Sequence, residues 1–192
     1  MKTATMIRRT VALLALCVTA VDARADDYVC QGYCEFRDTH FDGNVIVAEG
    51  ATLVLIRSSV DGNILVYDDA ALRTSRTEVG GNIQATGARL ITVLRSAVGG
   101  SVQLDDGGGS TIAGTLVDGN IQIFSNNAGR SRIRVLRNGV GGDVQIFSNR
   151  SSGLIVSYNR IDGNLQGEGN NVPPTGTGNL VQGDTDGQFE GF

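Results

Sequence analysis

From residue 41 to residue 167 apolar and polar positions alternate in short runs, and the runs are separated by glycine, asparagine, serine and aspartate. Leu53, Leu55 and Val60 mark one such run, and Ile64 and Val66 mark the next. Alternation with a period of two, broken by turn-forming residues, predicts short β-strands with one buried face. No window keeps apolar residues at helical spacing over the ten or so positions a helix needs. The pattern therefore predicts an all-β chain of many short strands.

The runs also repeat. FDGNVIV (41–47), VDGNILV (60–66), VGGNIQA (79–85), VGGSVQL (98–104), VDGNIQI (117–123), VGGDVQI (140–146) and IDGNLQG (161–167) are versions of one unit. Their shared glycines, Gly43, Gly62, Gly81, Gly100, Gly119, Gly142 and Gly163, are spaced by 19, 19, 19, 19, 23 and 21 residues. TGNLVQG (177–183) reads as a degenerate eighth copy. A regular period near 20 residues signals a solenoid, in which each unit is one coil that buries its apolar face against its neighbours. Two or three short strands per unit predict a single parallel β-helix of about seven coils. Seven coils at the usual strand spacing make a rod of roughly 34 Å. Parallel crossovers favour the right hand, and no six-residue period runs within the unit, so a right-handed helix is expected.

A solenoid stacks equivalent positions, so each column of the repeat has one environment. Two residues before the glycine stand Phe41, Val60, Val79, Val98, Val117, Val140 and Ile161; two after it stand Val45, Ile64, Ile83, Val102, Ile121, Val144 and Leu165. Both columns are apolar and should point inward. Directly after the glycine come Asn44, Asn63, Asn82, Ser101, Asn120, Asp143 and Asn164, and four before it come Thr39, Ser58, Thr77, Ser96, Thr115, Asn138 and Asn159. Short polar side chains at corners can hydrogen-bond turn backbone and the next coil, so both columns are expected to be structural ladders. Three positions after the glycine, Gln84, Gln103, Gln122, Gln145 and Gln166 can form an amide ladder.

The ends differ from the body. Lys2, Arg8 and Arg9, the apolar run from Val11 to Ala20, and Ala23-Arg24-Ala25 make residues 1–25 a secretory signal peptide by pattern. The run is too short to span a bilayer, and acylation of Cys17 is disfavoured by the large Leu16 before it. Residues 26–40 are expected to cap the helix, with Cys30 and Cys34 able to bridge in an oxidising compartment. Residues 168–192, rich in glycine and asparagine, read as a tail or a degenerate last coil. The expected location is the periplasm or the outside of the cell.

Without residues 1–25 the chain carries 12 arginines, no lysine and 19 acidic residues, a net charge of −7. Such a balance argues against nucleic acid as a partner. The single histidine, His40, excludes a multi-histidine metal site. No cofactor or metal set is expected. Five residues before the glycine, however, stand Arg57, Arg76, Arg95, Gly114 and Arg137. Arginines stacked about 4.8 Å apart repel by about 0.9 kcal/mol per adjacent pair in water, and such a stripe could grip a repeating anion bidentately. Glu78 and Asp61 are candidate partners that would instead make it an ordinary solvated face. Asp42 and Asp61 lie on adjacent coils in a turn column where Asp-Gly and Gly-Gly interchange. Asp68-Asp69 and Asp105-Asp106 are candidate calcium ligands, and GDTDGQFE (183–190) faintly resembles a calcium loop. Phe124 and Phe147 should stack, with Tyr67 in the same column.

LIVSYNRIDGNLQ (154–166) resembles the right-handed parallel β-helix repeat of the pectate-lyase-like superfamily, and the unit V-x-G-N-I-Q resembles the rungs of bactofilins, which form polymers. The resemblance covers roughly residues 36–167 and implies a fold. Many members of the superfamily degrade acidic polysaccharides with dense Asp, His, Lys and Arg clusters, which this chain lacks. The exported N-terminus departs from bactofilins, which are cytoplasmic. The expectation is an exported, non-catalytic envelope protein that binds or assembles through its ladder faces, with an acidic glycan on the arginine stripe. A lyase or hydrolase acting on acidic extracellular glycans is the alternative. End-to-end self-association is a third expectation, because terminal coils are strand templates.

Overall fold

A computed structural model describes residues 27–192; the expected signal segment and Cys17 lie outside the described residues. The described residues form a parallel β-solenoid of about eight turns and contain no helix. The strands fall into three sheets of nine, seven and eight. A typical turn is Ile64–Val66 in the nine-stranded sheet, Ala71–Ser75 in the seven-stranded sheet and Glu78–Val79 in the eight-stranded sheet. Every pairing is parallel, and the register follows the repeat: Val60 lies beside Val79, Ile64 beside Ile83, Leu53 beside Leu72.

The longer repeats do not disturb this register. Their extra residues all sit between Phe124 and Ile133 and between Phe147 and Leu154, at the corner between the nine- and seven-stranded sheets. Ile121 still pairs with Val144 and Ile133 with Leu154. Insertion at a corner changes loop length but not the strand spacing that backbone hydrogen bonds require.

The two apolar columns flanking the glycine line the interior, each member 3% exposed or less. A third inward set, Leu72, Ile91, Ile133 and Leu154, closes the core from the seven-stranded sheet. Burying each such side chain contributes about 1.5–3 kcal/mol. Two clusters of aromatic rings stand at the ends, while Tyr67, Phe124, Phe147 and Tyr158 lie on the outside of the body. Tyr28, Phe36 and Phe41 pack with ring centroids 5.1–5.4 Å apart at one end. Phe189, fully buried, packs against Phe192 at the other. These rings fill the two end mouths of the described stack.

Of the expected cap and tail, residues 27–40 and 168–192 extend the stack. Tyr28–Cys30 pairs with Val45–Val47 and Tyr33–Arg37 with Thr52–Ile56, and a Cys30–Cys34 disulfide ties these first two strands together. The degenerate copy at 177–183 supplies Leu180–Val181, which pairs with Arg160–Ile161, and Thr185–Gly187 pairs with Leu165–Gly167. Arg89 straps three turns, donating to Asp69 O and to Thr52 Oγ1 at 2.6 Å. No helix among the described residues is long and apolar enough to cross a membrane.

Candidate functional site: ladders, an arginine corner and a histidine cluster

The asparagine column after the glycine is a continuous hydrogen-bonded chain. Asn63 donates its backbone N–H and its amide to Asn44 Oδ1 at 2.8 and 3.0 Å, and Asn82 does the same to Asn63 Oδ1. Ser101, Asn120, Asp143 and Asn164 continue it, and it ends on Asp184. The chain explains the glycines beside it. A Cβ on Gly81 would stand 2.5 Å from Asn63 Oδ1, so the rung needs a residue without one.

The column four residues before the glycine runs inside the wall in the opposite direction. Thr39 N–H donates to Ser58 Oγ, Thr77 to Ser96, Ser96 to Thr115, Thr115 to Asn138, and Asn138 to Asn159. From Ser58 to Asn159 its members are buried, at 6% exposure or less. A third ladder, not singled out above, joins Gly107, Asn126, Asn149, Asn170 and Gln188. Its asparagines sit at the corner that carries the insertions. The glutamines form a fourth chain on the outer face, from Gln84 through Gln103, Gln122 and Gln145 to Gln166. The three corner chains satisfy polar groups that burial would otherwise leave unpaired, while the glutamines pair with one another on a face open to water.

The arginine column is a corner column, between the seven- and eight-stranded sheets. Its residues have left-handed backbone: Arg57 at φ 50°, Arg76 at 54°, Arg95 at 50° and Arg137 at 56°. Gly114, at φ 63°, takes the same conformation without strain. All four arginines are exposed, but they are not equivalent. Arg57 makes a bidentate ion pair with Asp38, at 2.7 and 2.8 Å. Hydrogen bonds from that guanidinium hold the Asp38 carboxyl below the ordinary aspartate range and raise Arg57 further. Arg137 lies over the Tyr158 ring at 5.5 Å. Asp38 and Tyr158 belong to the same corner column, so the partner of Arg57 comes from directly above it and not from Glu78 or Asp61. Among the described residues, Arg76 and Arg95 have no carboxylate within 4.0 Å.

Beside this corner an open groove of about 430 Å³ runs across four turns of the seven-stranded sheet. Leu94, Ala113 and Leu136 form an apolar floor, and Arg73, Arg95 and Arg137 rim it. Gly114 interrupts the arginine column at the groove and leaves it open. The sequence reading missed Arg73, which lies in an outward column with Val54 and Thr92. The mixed character of that column hid it.

A second cluster stands at the first turns. His40 Nε2 lies 2.6 Å from Asp42 Oδ1 and 3.6 Å from Asp61 Oδ2, and its Nδ1 lies 2.7 Å from Ser59 Oγ. His40 and Ser59 are paired on the outer face of the eight-stranded sheet, and the two aspartates occupy the turn that follows it. Among the described residues this is the one group of three or more metal-ligating side chains. Among the described residues the aspartate pairs 68–69 and 105–106 and the 183–190 segment belong to no group of three His, Cys, Asp or Glu side chains. Phe124 and Phe147 are half-buried with centroids 5.9 Å apart.

No family model, curated protein or solved structure matches the chain. The likeness to pectate-lyase-like and bactofilin rungs therefore rests on the repeat unit alone.

Proposed function

We propose that the chain is an exported, non-catalytic solenoid that binds an acidic polymer, an anionic glycan, along the arginine corner and its groove. The observation that carries this reading is the repeated use of arginine at a left-handed corner position. A non-glycine residue there costs about 1–2 kcal/mol, and glycine at 114 fits the same turn. The same backbone conformation recurs at Asp38, Asp69, Asp106, Ser125, Ser148 and Tyr158, so the bend belongs to the fold, and it is the repeated choice of arginine there that points to a ligand. Among the described residues Arg76 and Arg95 have no carboxylate within 4.0 Å, which leaves their guanidinium groups for bidentate contact with carboxylates or sulfates. The apolar floor of Leu94, Ala113 and Leu136 suits the C–H face of a sugar ring. The groove lining contains no carboxylate or imidazole for acid–base work, which favours binding over turnover. The Cys30–Cys34 disulfide fits an oxidising compartment.

Retention on immobilised acidic glycans, eluted with a salt gradient, tests the reading. The variant Arg73→Ala/Arg95→Ala/Arg137→Ala, which keeps Arg76, is expected to elute at clearly lower salt than the parent, while Arg57→Ala, which removes an already paired guanidinium, should elute close to the parent. Equal retention of the triple variant and the parent would overturn the assignment.

A further inference from the structure

We propose that His40, Asp42 and Asp61 form a surface site for a divalent transition ion of the zinc class. The three ligand atoms lie within 4.8 Å of one another and come from two adjacent turns. Tetrahedral zinc with bonds near 2.0–2.2 Å separates its donors by roughly 3.3 Å, and the two nitrogen–oxygen distances, 2.6 and 3.6 Å, bracket that value. The three donors lie within 4.8 Å of one another, so rotation of the exposed aspartate side chains has to close the wider separations onto one ion.

Three features set this cluster apart from a scatter of exposed acids. First, the chain's one histidine sits at the one place where the turn column holds aspartate on consecutive turns. Elsewhere glycine intervenes: the column runs Asp42, Asp61, Gly80, Gly99, Asp118, Gly141, Asp162. Secondly, the imidazole is oriented. Nδ1 contacts Ser59 Oγ and Nε2 contacts the carboxylates; in the tautomer whose Nδ1–H donates to Ser59, Nε2 is the lone-pair nitrogen for an ion, which replaces the proton otherwise shared with Asp42. A metal-bound histidine commonly has its other ring nitrogen held in this way. Thirdly, the backbone under the ligands is fixed by strand pairing, His40 beside Ser59 and Phe41 beside Val60. A nitrogen donor with two carboxylates suits zinc, copper or nickel better than calcium or magnesium, which prefer all-oxygen shells. All three side chains are exposed, so water or an exogenous ligand can complete the coordination. The site lies apart from the groove residues and does not depend on the glycan reading.

Calorimetric titration of zinc into tag-free full-length chain, first dialysed against chelator, tests the site. One zinc per chain is expected. His40→Ala should weaken binding by at least about 100-fold and Asp42→Asn/Asp61→Asn likewise, while Ser59→Ala should weaken it about 10-fold, as loss of an orienting partner does. The melting temperatures of the metal-free variants should match the parent, since the three side chains are exposed. In nitrogen NMR the His40 Nε2 resonance should move on zinc addition more than Nδ1. No saturable zinc binding below about 1 mM, a figure that corresponds to about −4.1 kcal/mol, would overturn the proposal. So would a His40→Ala variant that binds zinc as the parent does.

Discussion

Replacing Asn149 with alanine tests the buried amide ladders one bond at a time. Asn149 is 1% exposed. Its Oδ1 accepts the Asn126 backbone N–H at 2.9 Å and the Asn126 amide at 3.2 Å. Its own amide donates to Ile123 O and to Asn170 Oδ1, each at 2.9 Å. Truncation removes all four, but the losses are unequal. The Asn126 amide keeps Leu104 O and Phe124 O, and Asn170 Oδ1 keeps the Asn149 backbone N–H. The Asn126 backbone N–H is left as a buried orphan, at a cost of about 1–3 kcal/mol. The space vacated by the amide adds about 1 kcal/mol. The total expected is about 2–4 kcal/mol. Asn149→Ser should cost less than about 2 kcal/mol, because a hydroxyl can take a backbone N–H from the neighbouring turn, as Ser101 Oγ does from Asn120 at 3.0 Å. Urea unfolding followed by circular dichroism measures the total, with the m-value checked for change because stacked turns can unfold in parts. Hydrogen exchange at the Asn126 amide reads the local effect directly. A loss below about 0.5 kcal/mol together with unchanged protection of that amide would refute the reasoning.

Other outcomes follow from single contacts. Ser110 Oγ is buried in the inward column between Ile91 and Ile133 and has no partner, so Ser110→Ala should leave stability unchanged or raise it by up to about 1 kcal/mol in the same assay. Replacing Cys30 and Cys34 with alanine opens a five-residue loop; chain entropy alone assigns that loop about 2 kcal/mol, and the difference in thermal melting should vanish when both proteins are melted in reductant. The Asp38 carboxyl is held below its ordinary range by Arg57. Its contribution is thus present above the unfolded aspartate range and is lost as pH falls through the lower folded value. In Arg57→Ala the Asp38 carboxyl should titrate at higher pH by carbon NMR, and an unmoved titration would show that the ion pair is not the cause.

The fold was legible because period and stacking are one fact in a solenoid. A 19-residue step places Val60 beside Val79 and Asn63 beside Asn82, so columns read along the sequence became columns in space. The third ladder was less visible. Its members Asn126, Asn149 and Asn170 stand at the corner where the repeat lengthens, and its last rung, Gln188, lies beyond the final clear copy. The His40 cluster escaped notice for another reason. His40 and Asp61 are brought together by one repeat of chain plus the turn that folds Asp42 back toward its own strand, and a column-by-column reading never compares two different columns.

By itself the sequence determined which residues become vertical neighbours, which face inward, and that the chain is a parallel all-β stack. These follow from spacing and from the alternation of a strand, both of which are one-dimensional. Only the tertiary structure decided the directions of side chains at corners: the left-handed backbone of Arg57, Arg76, Arg95 and Arg137, the choice of Asp38 over Glu78 as partner of Arg57, and the groove left open at Gly114. Those depend on how the chain bends between sheets, where several groups lie within reach and the geometry of the bend selects among them.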